Sequence, residues 1–211
     1  MQLPAVIDAQ RVTAARKAAK TNPKASSSAA SSSAPSSSAL EEYKTTFVIT
    51  PAISLMSDQV MQINATLRRH TKPSDLAELG LSPGADFAVF LGRGQEDKAV
   101  ADAVKRGEHR LVFLTEQLLA DVTWMHALQS LDAQRKLLMI AVDEAHCVVQ
   151  YPESGSFRMH YGDLGKLRTM LPFVPIMALS AVPTREMWAR IEQSLGMRAD
   201  TVVRTIGSIY R

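Results

Sequence analysis

Cysteine is almost absent: Cys147 is the only one among 211 residues. An internal disulfide is therefore excluded, and the usage fits a reducing compartment. No apolar run approaches the ~20 residues that a bilayer-spanning helix requires. The first residues also lack the continuous apolar core of a secretory signal. Their Arg/Lys/Ser bias is faintly that of a transit peptide, but Asp8 counts against that reading. A strong charge of one sign is missing too. The net charge is +3, yet residues 1–40 hold five basic side chains and one acidic, so the remainder carries −1. A globule this close to neutral can contact nucleic acid only through local placement of charge. Nothing in the chain reads G-x-x-x-x-G-K-[ST], the glycine loop whose backbone N–H groups cradle phosphates. Gly92-Arg93-Gly94 is too short and no Lys-Ser or Lys-Thr follows it.

What is present describes one ordinary α/β domain. Hydrophobic residues make up 46% and charged residues 21%, enough apolar material for a proper core. Residues 25–39 contain nine Ser, five Ala and one Pro. Such a stretch cannot bury enough apolar surface to offset its ordering entropy, so disorder is expected there, over 25–44 as a whole. From Thr45 onward, strand-like and helix-like segments alternate, the pattern of parallel βαβ units. Strands are expected at Thr46–Thr50, Phe87–Leu91, Arg110–Leu114, Leu137–Val142, Ile176–Ser180 and Val202–Thr205. Helices are expected at Ile53–Arg69, Glu96–Arg106, Glu116–Ser130, Tyr161–Leu171 and Thr184–Leu195. Met187, Ile191 and Leu195 form one apolar stripe beside Trp188; Leu164, Leu167 and Leu171 form another. Both read as core packing, as does Cys147.

The most informative run is Leu137-Leu138-Met139-Ile140-Ala141-Val142-Asp143-Glu144-Ala145-His146-Cys147. A buried strand ends on two adjacent carboxylates, and in open α/β sheets ligands bind beyond the carboxyl ends of the strands. One carboxylate can hold a magnesium ion through its water shell while the other orients an attacking water, as NTP hydrolysis requires. On the dipeptide alone, the competing reading is an Asp that caps the next helix and a Glu that complements its dipole.

The neighbouring residues separate the two. Asp143-Glu144-Ala145-His146-Cys147-Val148-Val149-Gln150 resembles motif II and the start of the aromatic-rich loop of RecQ-like DNA helicases. Val48-Ile49-Thr50-Pro51-Ala52-Ile53-Ser54-Leu55-Met56-Ser57-Asp58-Gln59-Val60 is similar to motif Ia, and Leu111 to Leu119 to motif Ib, with Thr115-Glu116-Gln117 where Thr-Pro-Glu is usual. Ala178-Leu179-Ser180-Ala181-Val182 stands at motif III, whose usual core is Thr-Ala-Thr. The order and spacing agree over residues 45–211. DEAD-box RNA helicases fit less well, because the Ser-Leu-Met-Ser-Asp-Gln-Val run and Cys147 favour the RecQ-like branch.

The resemblance implies a RecA-like domain of the P-loop NTPase type, with a mostly parallel sheet and helices on both faces. It implies ATP and Mg2+ as cofactors, DNA as partner, nuclear localisation, and 3′-to-5′ unwinding in repair and recombination. It assigns Asp143 to the magnesium, through water, and Glu144 to the water attacking the γ-phosphate. His146 links hydrolysis to the nucleic-acid face, with Ser180 relaying the phosphate state. Thr50, Pro51 and Ser54, at a strand-to-helix turn, are expected to meet a DNA phosphate, because hydroxyls and N–H groups at a helix N-terminus bind anions. The simpler role for Ser54 is an ordinary helix cap. Thr115 is expected to make a similar phosphate contact. Gln150, Tyr151, Phe157 and Arg158 fall on the aromatic-rich loop, where a ring can stack on a base and an Arg can hold a phosphate. Tyr151 stands where Trp is usual, the interval to Phe157-Arg158 is longer by two residues, and Val182 replaces a hydroxyl.

Met1-Gln2-Leu3-Pro4-Ala5-Val6 resembles the segment that directly follows the P-loop in this family, and residues 1–24 the remnant of its helix. Gly207-Ser208-Ile209-Tyr210-Arg211 resembles the start of the link to the second RecA-like domain. The expectation is a partial first domain, starting just after the P-loop and having little activity alone. The alternative is a catalytically dead helicase-like module that binds DNA or a protein partner.

Overall fold

A computed structural model of the chain describes residues 44–72, 75, 81, 84–92, 97–150, 159–181 and 184–197. The expected remnant helix 1–24, nearly all of the Ser/Ala-rich segment and the strand at 202–205 lie outside the described residues. So do Gly207–Arg211, together with Tyr151, Phe157, Arg158 and Val182.

Five strands, β1 (Thr45–Ile49), β2 (Ala88–Leu91), β3 (Leu111–Leu114), β4 (Leu137–Val142) and β5 (Ile176–Ala178), form one sheet in the order β2-β3-β1-β4-β5. Every pairing is parallel, with Phe47 level with Val112 on one side and Ile140 on the other. This is the expected α/β architecture. Four or five consecutive apolar or β-branched residues suit it, since a parallel sheet is covered on both faces.

Side chains alternate across the sheet and build two cores. Val48, Leu111, Phe113, Ala88 and Ala141 face α1 (Ile53–His70), which presents Met56 and Val60 with Ile53, Ile63 and Leu67 beside them. Phe47, Ile49, Val112, Leu114, Ile140 and Val142 face the larger core on the other side. There they meet α2 (Lys98–Arg106), α4 (Val122–Ala133), α5 (Cys147–Gln150), α6 (Lys166–Met170) and α7 (Arg185–Ser194). The two predicted stripes end up here, with Leu164, Leu167, Leu171, Ile191 and Leu195 all buried. Cys147 is fully buried among them, as its packing role requires.

Two helices differ from the sequence reading. Glu116–Ser130 is not continuous: α3 (Glu116–Leu119) stops, and Asp121 starts α4 by accepting the Thr123 N–H at 2.8 Å. A side chain that offers the backbone this alternative at an N-cap ends one helix and begins the next. Tyr161–Leu171 begins as 3-10 helix over Met159–Gly165 and becomes α-helical only at Lys166. Gly165 sits where the backbone of α7 presses in; a Cβ there would lie 2.3 Å from the Ser194 carbonyl oxygen.

Candidate nucleotide and nucleic-acid site

The chain leaves β1 toward β2 on one side and leaves β4 toward β5 on the other. Adjacent strands whose connections diverge open a crevice at their carboxyl ends. Thr50 follows β1 and Asp143 follows β4, so both fall at that point.

The acidic pair is anchored by backbone before any ligand is considered. The Asp143 N–H donates to the Ile49 carbonyl at 2.8 Å, and the Ala145 N–H donates to the Leu179 carbonyl at 2.8 Å. Asp143 accepts the Glu144 N–H at 3.0 Å through Oδ1 and the Thr50 hydroxyl at 3.4 Å through Oδ2. Its carboxylate is half-buried at the crevice, neither sealed in packing nor free in water. Glu144 has φ +49, the left-handed region that a residue with a Cβ seldom adopts. Strain of this kind persists where surrounding contacts over-determine the backbone.

His146 turns back toward the same carboxylate. Its Nδ1 lies 3.2 Å from Glu144 Oε2 and 3.2 Å from the Ser180 hydroxyl just past β5. When Nδ1 carries the proton it donates to Glu144; in the other tautomer it accepts from Ser180. The ends of β4 and β5 are thus joined by one imidazole.

At the turn after β1, Thr50 is buried and its Oγ1 is 3.4 Å from the Ala52 N–H. Ala52 occupies the N-cap of α1 and makes no side-chain cap, so Ser54 is not the cap. Ser54 is the second residue of the helix and is exposed, while Pro51 is half-buried. Thr115, at the N-cap of α3, is buried and makes no side-chain cap. Asp143, Glu144, His146, Ser180 and Thr50 are therefore brought together by contact. Ser54 and Thr115 occupy the starts of α1 and α3, following the adjacent strands β1 and β3. Of the aromatic-rich loop, only the backbone of Gln150, at the end of α5, is described.

Tyr161 is the residue that sequence reasoning missed. It is fully buried, and its hydroxyl lies 3.1 Å from the Asp143 carbonyl and 3.4 Å from the Ile49 carbonyl. A phenol has one proton to donate, so the two carbonyls share it, and the ends of β1 and β4 are held together beneath the site. The sequence marks Tyr161 only as an aromatic opening an apolar stripe; no spacing shows that its hydroxyl reaches two strand ends.

A magnesium ion binds through one or two carboxylates, waters and substrate phosphates rather than a full protein cage. A half-buried Asp143 with the Thr50 hydroxyl alongside fits that donor set. Bound there, the ion would neutralise phosphate charge.

The DEAD/DEAH box helicase family profile matches residues 25–190, and the chain belongs to that family. Its relatives include the mouse bifunctional 3′-5′ exonuclease/ATP-dependent helicase WRN, 33% identical over 162 residues. That match covers 77% of this chain and 10% of the mouse protein. The ATP-dependent DNA helicase Q-like SIM of Arabidopsis thaliana is 32% identical over 182 residues, 82% of this chain and 18% of the relative. The ATP-dependent DNA helicase RecQ of Pasteurella multocida is 30% identical over 166 residues, 79% of this chain and 23% of the relative. The resemblance to RecQ-like helicases is thereby confirmed at the level of family. Among solved structures, a DUF1998 helicase, MrfA, bound to DNA and AMPPNP is 17% identical with a TM-score of 0.46, covering 75% of this chain and 20% of that one. The matches span a quarter or less of the length of each of these relatives.

Proposed function

We propose that this chain carries the hydrolytic and DNA-contacting elements of the first motor domain of a RecQ-type helicase, coupling ATP hydrolysis to 3′-to-5′ DNA unwinding. The observation that carries the reading is the contact between Thr50 and Asp143 across the divergent strands β1 and β4, with His146 joining Glu144 to Ser180. In this reading Asp143 holds Mg2+ through water, and Glu144 orients the attacking water and takes its proton. His146 then reports the state of Glu144 to the end of β5, because its Nδ1 can serve only one of two partners at a time. On the nucleic-acid side, the exposed Ser54 hydroxyl and the uncapped first N–H groups of α1 meet a DNA phosphate. Thr115 and the loop bearing Gln150, Tyr151, Phe157 and Arg158 extend that contact. Nuclear localisation belongs to the same proposal; among the described residues no helix is long and apolar enough to cross a membrane.

The test is ATP turnover with and without single-stranded DNA, comparing the wild type with Glu144→Gln. Weak Mg2+-dependent turnover that is lost in the variant supports the reading. Turnover indifferent to Glu144 refutes it, and DNA binding with no turnover in either protein favours the catalytically dead module.

A further inference from the structure

The opposite end of the sheet, where strands begin and helices finish, has a chemistry that the reading above does not use. Lys44 precedes β1; Arg68 and Arg69 close α1 and Lys72 follows it; Lys105 and Arg106 close α2; Arg135 and Lys136 precede β4. Backbone and side-chain contacts place these groups in one continuous band. Arg68 pairs with Asp86, whose carbonyl lies 2.9 Å from His109 Nδ1. The His109 carbonyl accepts the Thr45 hydroxyl, the Thr45 N–H donates to the Lys136 carbonyl, and the Lys136 ammonium reaches the Arg106 carbonyl. The band crosses the starts of β2, β3, β1 and β4, about 15 Å at the usual strand spacing.

The carboxylates described at this end, Asp75, Asp86, Asp102, Glu108 and Asp132, are fewer than the cations. Arg68, Lys105 and Arg106 have carboxylate partners in Asp86, Asp102 and Glu108. Lys44, Arg69, Lys72 and Arg135 are exposed, with no carboxylate at ion-pair distance among the described residues. Cations near helix C-termini are often explained by the macrodipole. That account serves Arg69 and Arg106, but Lys44, Lys72 and Arg135 stand outside the helices. Arg135 even holds a left-handed φ of +59, a conformation that Gly or Asn adopts far more readily.

An aromatic ring shares this end. Phe173, in the turn leading into β5, is 87% exposed, the most exposed large hydrophobic among the described residues. Arg168 braces that turn by donating to the carbonyls of Pro172 and Val174 at 2.9 and 3.0 Å. The Ile140 N–H donates to the Pro175 carbonyl at 3.0 Å, which keeps the turn beside β4, four residues along from Lys136. Exposed cations that track a backbone, plus a bare ring on which a base can stack, are the two components of single-strand binding. A lipid surface would need several apolar groups to insert, and an acidic peptide would gain little from the ring.

We propose that the amino-end band of Lys44, Arg69, Lys72 and Arg135, with Phe173 at its border, is a second binding surface for single-stranded nucleic acid. It lies on the opposite end of the sheet from Asp143 and does not depend on nucleotide chemistry. The backbone phosphates lie along the cations, and one base stacks on Phe173.

The test is fluorescence anisotropy of fluorescein-labelled dT20 with the full chain from about 50 to about 200 mM salt, the range over which phosphate contacts are lost. The combined variant Lys44→Gln, Lys72→Gln and Arg135→Gln should bind at least about tenfold more weakly at low salt. Its salt slope should fall by about 2, from about 0.7 per lost contact. Phe173→Ala should weaken binding about fivefold or more and leave the slope unchanged. All four positions are exposed, and circular dichroism verifies that the variants fold. Wild-type affinity and slope in the triple variant overturn the proposal. So does binding that is lost in Ser54→Ala but unchanged in the triple variant, which would place the strand only at the carboxyl-end contact proposed above. Absence of dT20 binding, or equal binding to poly-glutamate or phosphatidylserine vesicles that Phe173→Ala leaves intact, overturns it as well.

Discussion

The carboxyl ends of the strands and their amino ends use polar residues in opposite ways. At the carboxyl ends, Thr50, Asp143, Tyr161, His146 and Ser180 are buried or half-buried and bonded to one another across strands. At the amino ends, Arg68, Arg106 and Lys105 pair with carboxylates in solvent. The difference teaches where geometry is set. A hydrogen bond sheltered from water fixes positions, because leaving either partner unmade is costly. An exposed ion pair fixes little, being screened and opposed by side-chain entropy.

Tyr161 offers the sharpest test of that contrast. Tyr161→Ala empties a fully buried ring site and should cost about 3–5 kcal/mol, measured by urea unfolding. Tyr161→Phe keeps the ring and should cost about 1 kcal/mol. If Phe cost nothing, the shared hydroxyl would not be what holds the strand ends together.

Asn64 then asks whether burial or location decides. It lies on α1 near the start of β2, yet its amide is buried and pairs twice with Ala88, donating to the carbonyl at 2.8 Å and accepting the N–H at 3.0 Å. The Asn side chain therefore stands in for a neighbouring strand at the sheet's edge. Asn64→Ala leaves both backbone groups unpaired and should cost about 2–3 kcal/mol, a carboxyl-end magnitude at the amino end. A loss no larger than that of Arg68→Ala, an exposed pair expected to contribute about 0–1 kcal/mol, would break the comparison.

The smallest effect concerns Asp121. The Thr123 backbone N–H, joined by the Thr123 hydroxyl, holds its carboxyl below the usual range. A carboxyl depressed in the folded state contributes stability above its unfolded pKa of about 4 and loses it as pH falls through the lower folded value. The advantage of wild type over Asp121→Ala should therefore be present at neutral pH and fade on acidification below about pH 4, as read from denaturant midpoints.

Much of this was legible beforehand, and the failures have identifiable causes. All five described strands were placed within two residues, because short apolar runs are a local property. The break at Asp121 was missed, although Asp-x-Thr before an apolar run is an N-cap signal. Its neighbours Leu118, Leu119, Trp124 and Met125 continue a helical pattern and mask it. Asp143, Glu144, His146 and Ser180 could be named from motifs. Which of them touch could not, since Thr50 and Asp143 are 93 positions apart. Tyr161 and Asn64 carry no motif; each is defined by backbone groups supplied from other elements.

The amino-acid order by itself determined the alternation of strands and helices, the family, and the acidic pair at a strand's end, because these depend on local periodicity and side-chain type. Only tertiary structure decided that β1 lies against β4, that one phenol serves both strand ends, and that exposed cations gather at the far end. Those outcomes follow from strand order, and strand order is settled by how both faces of the sheet bury their apolar residues together.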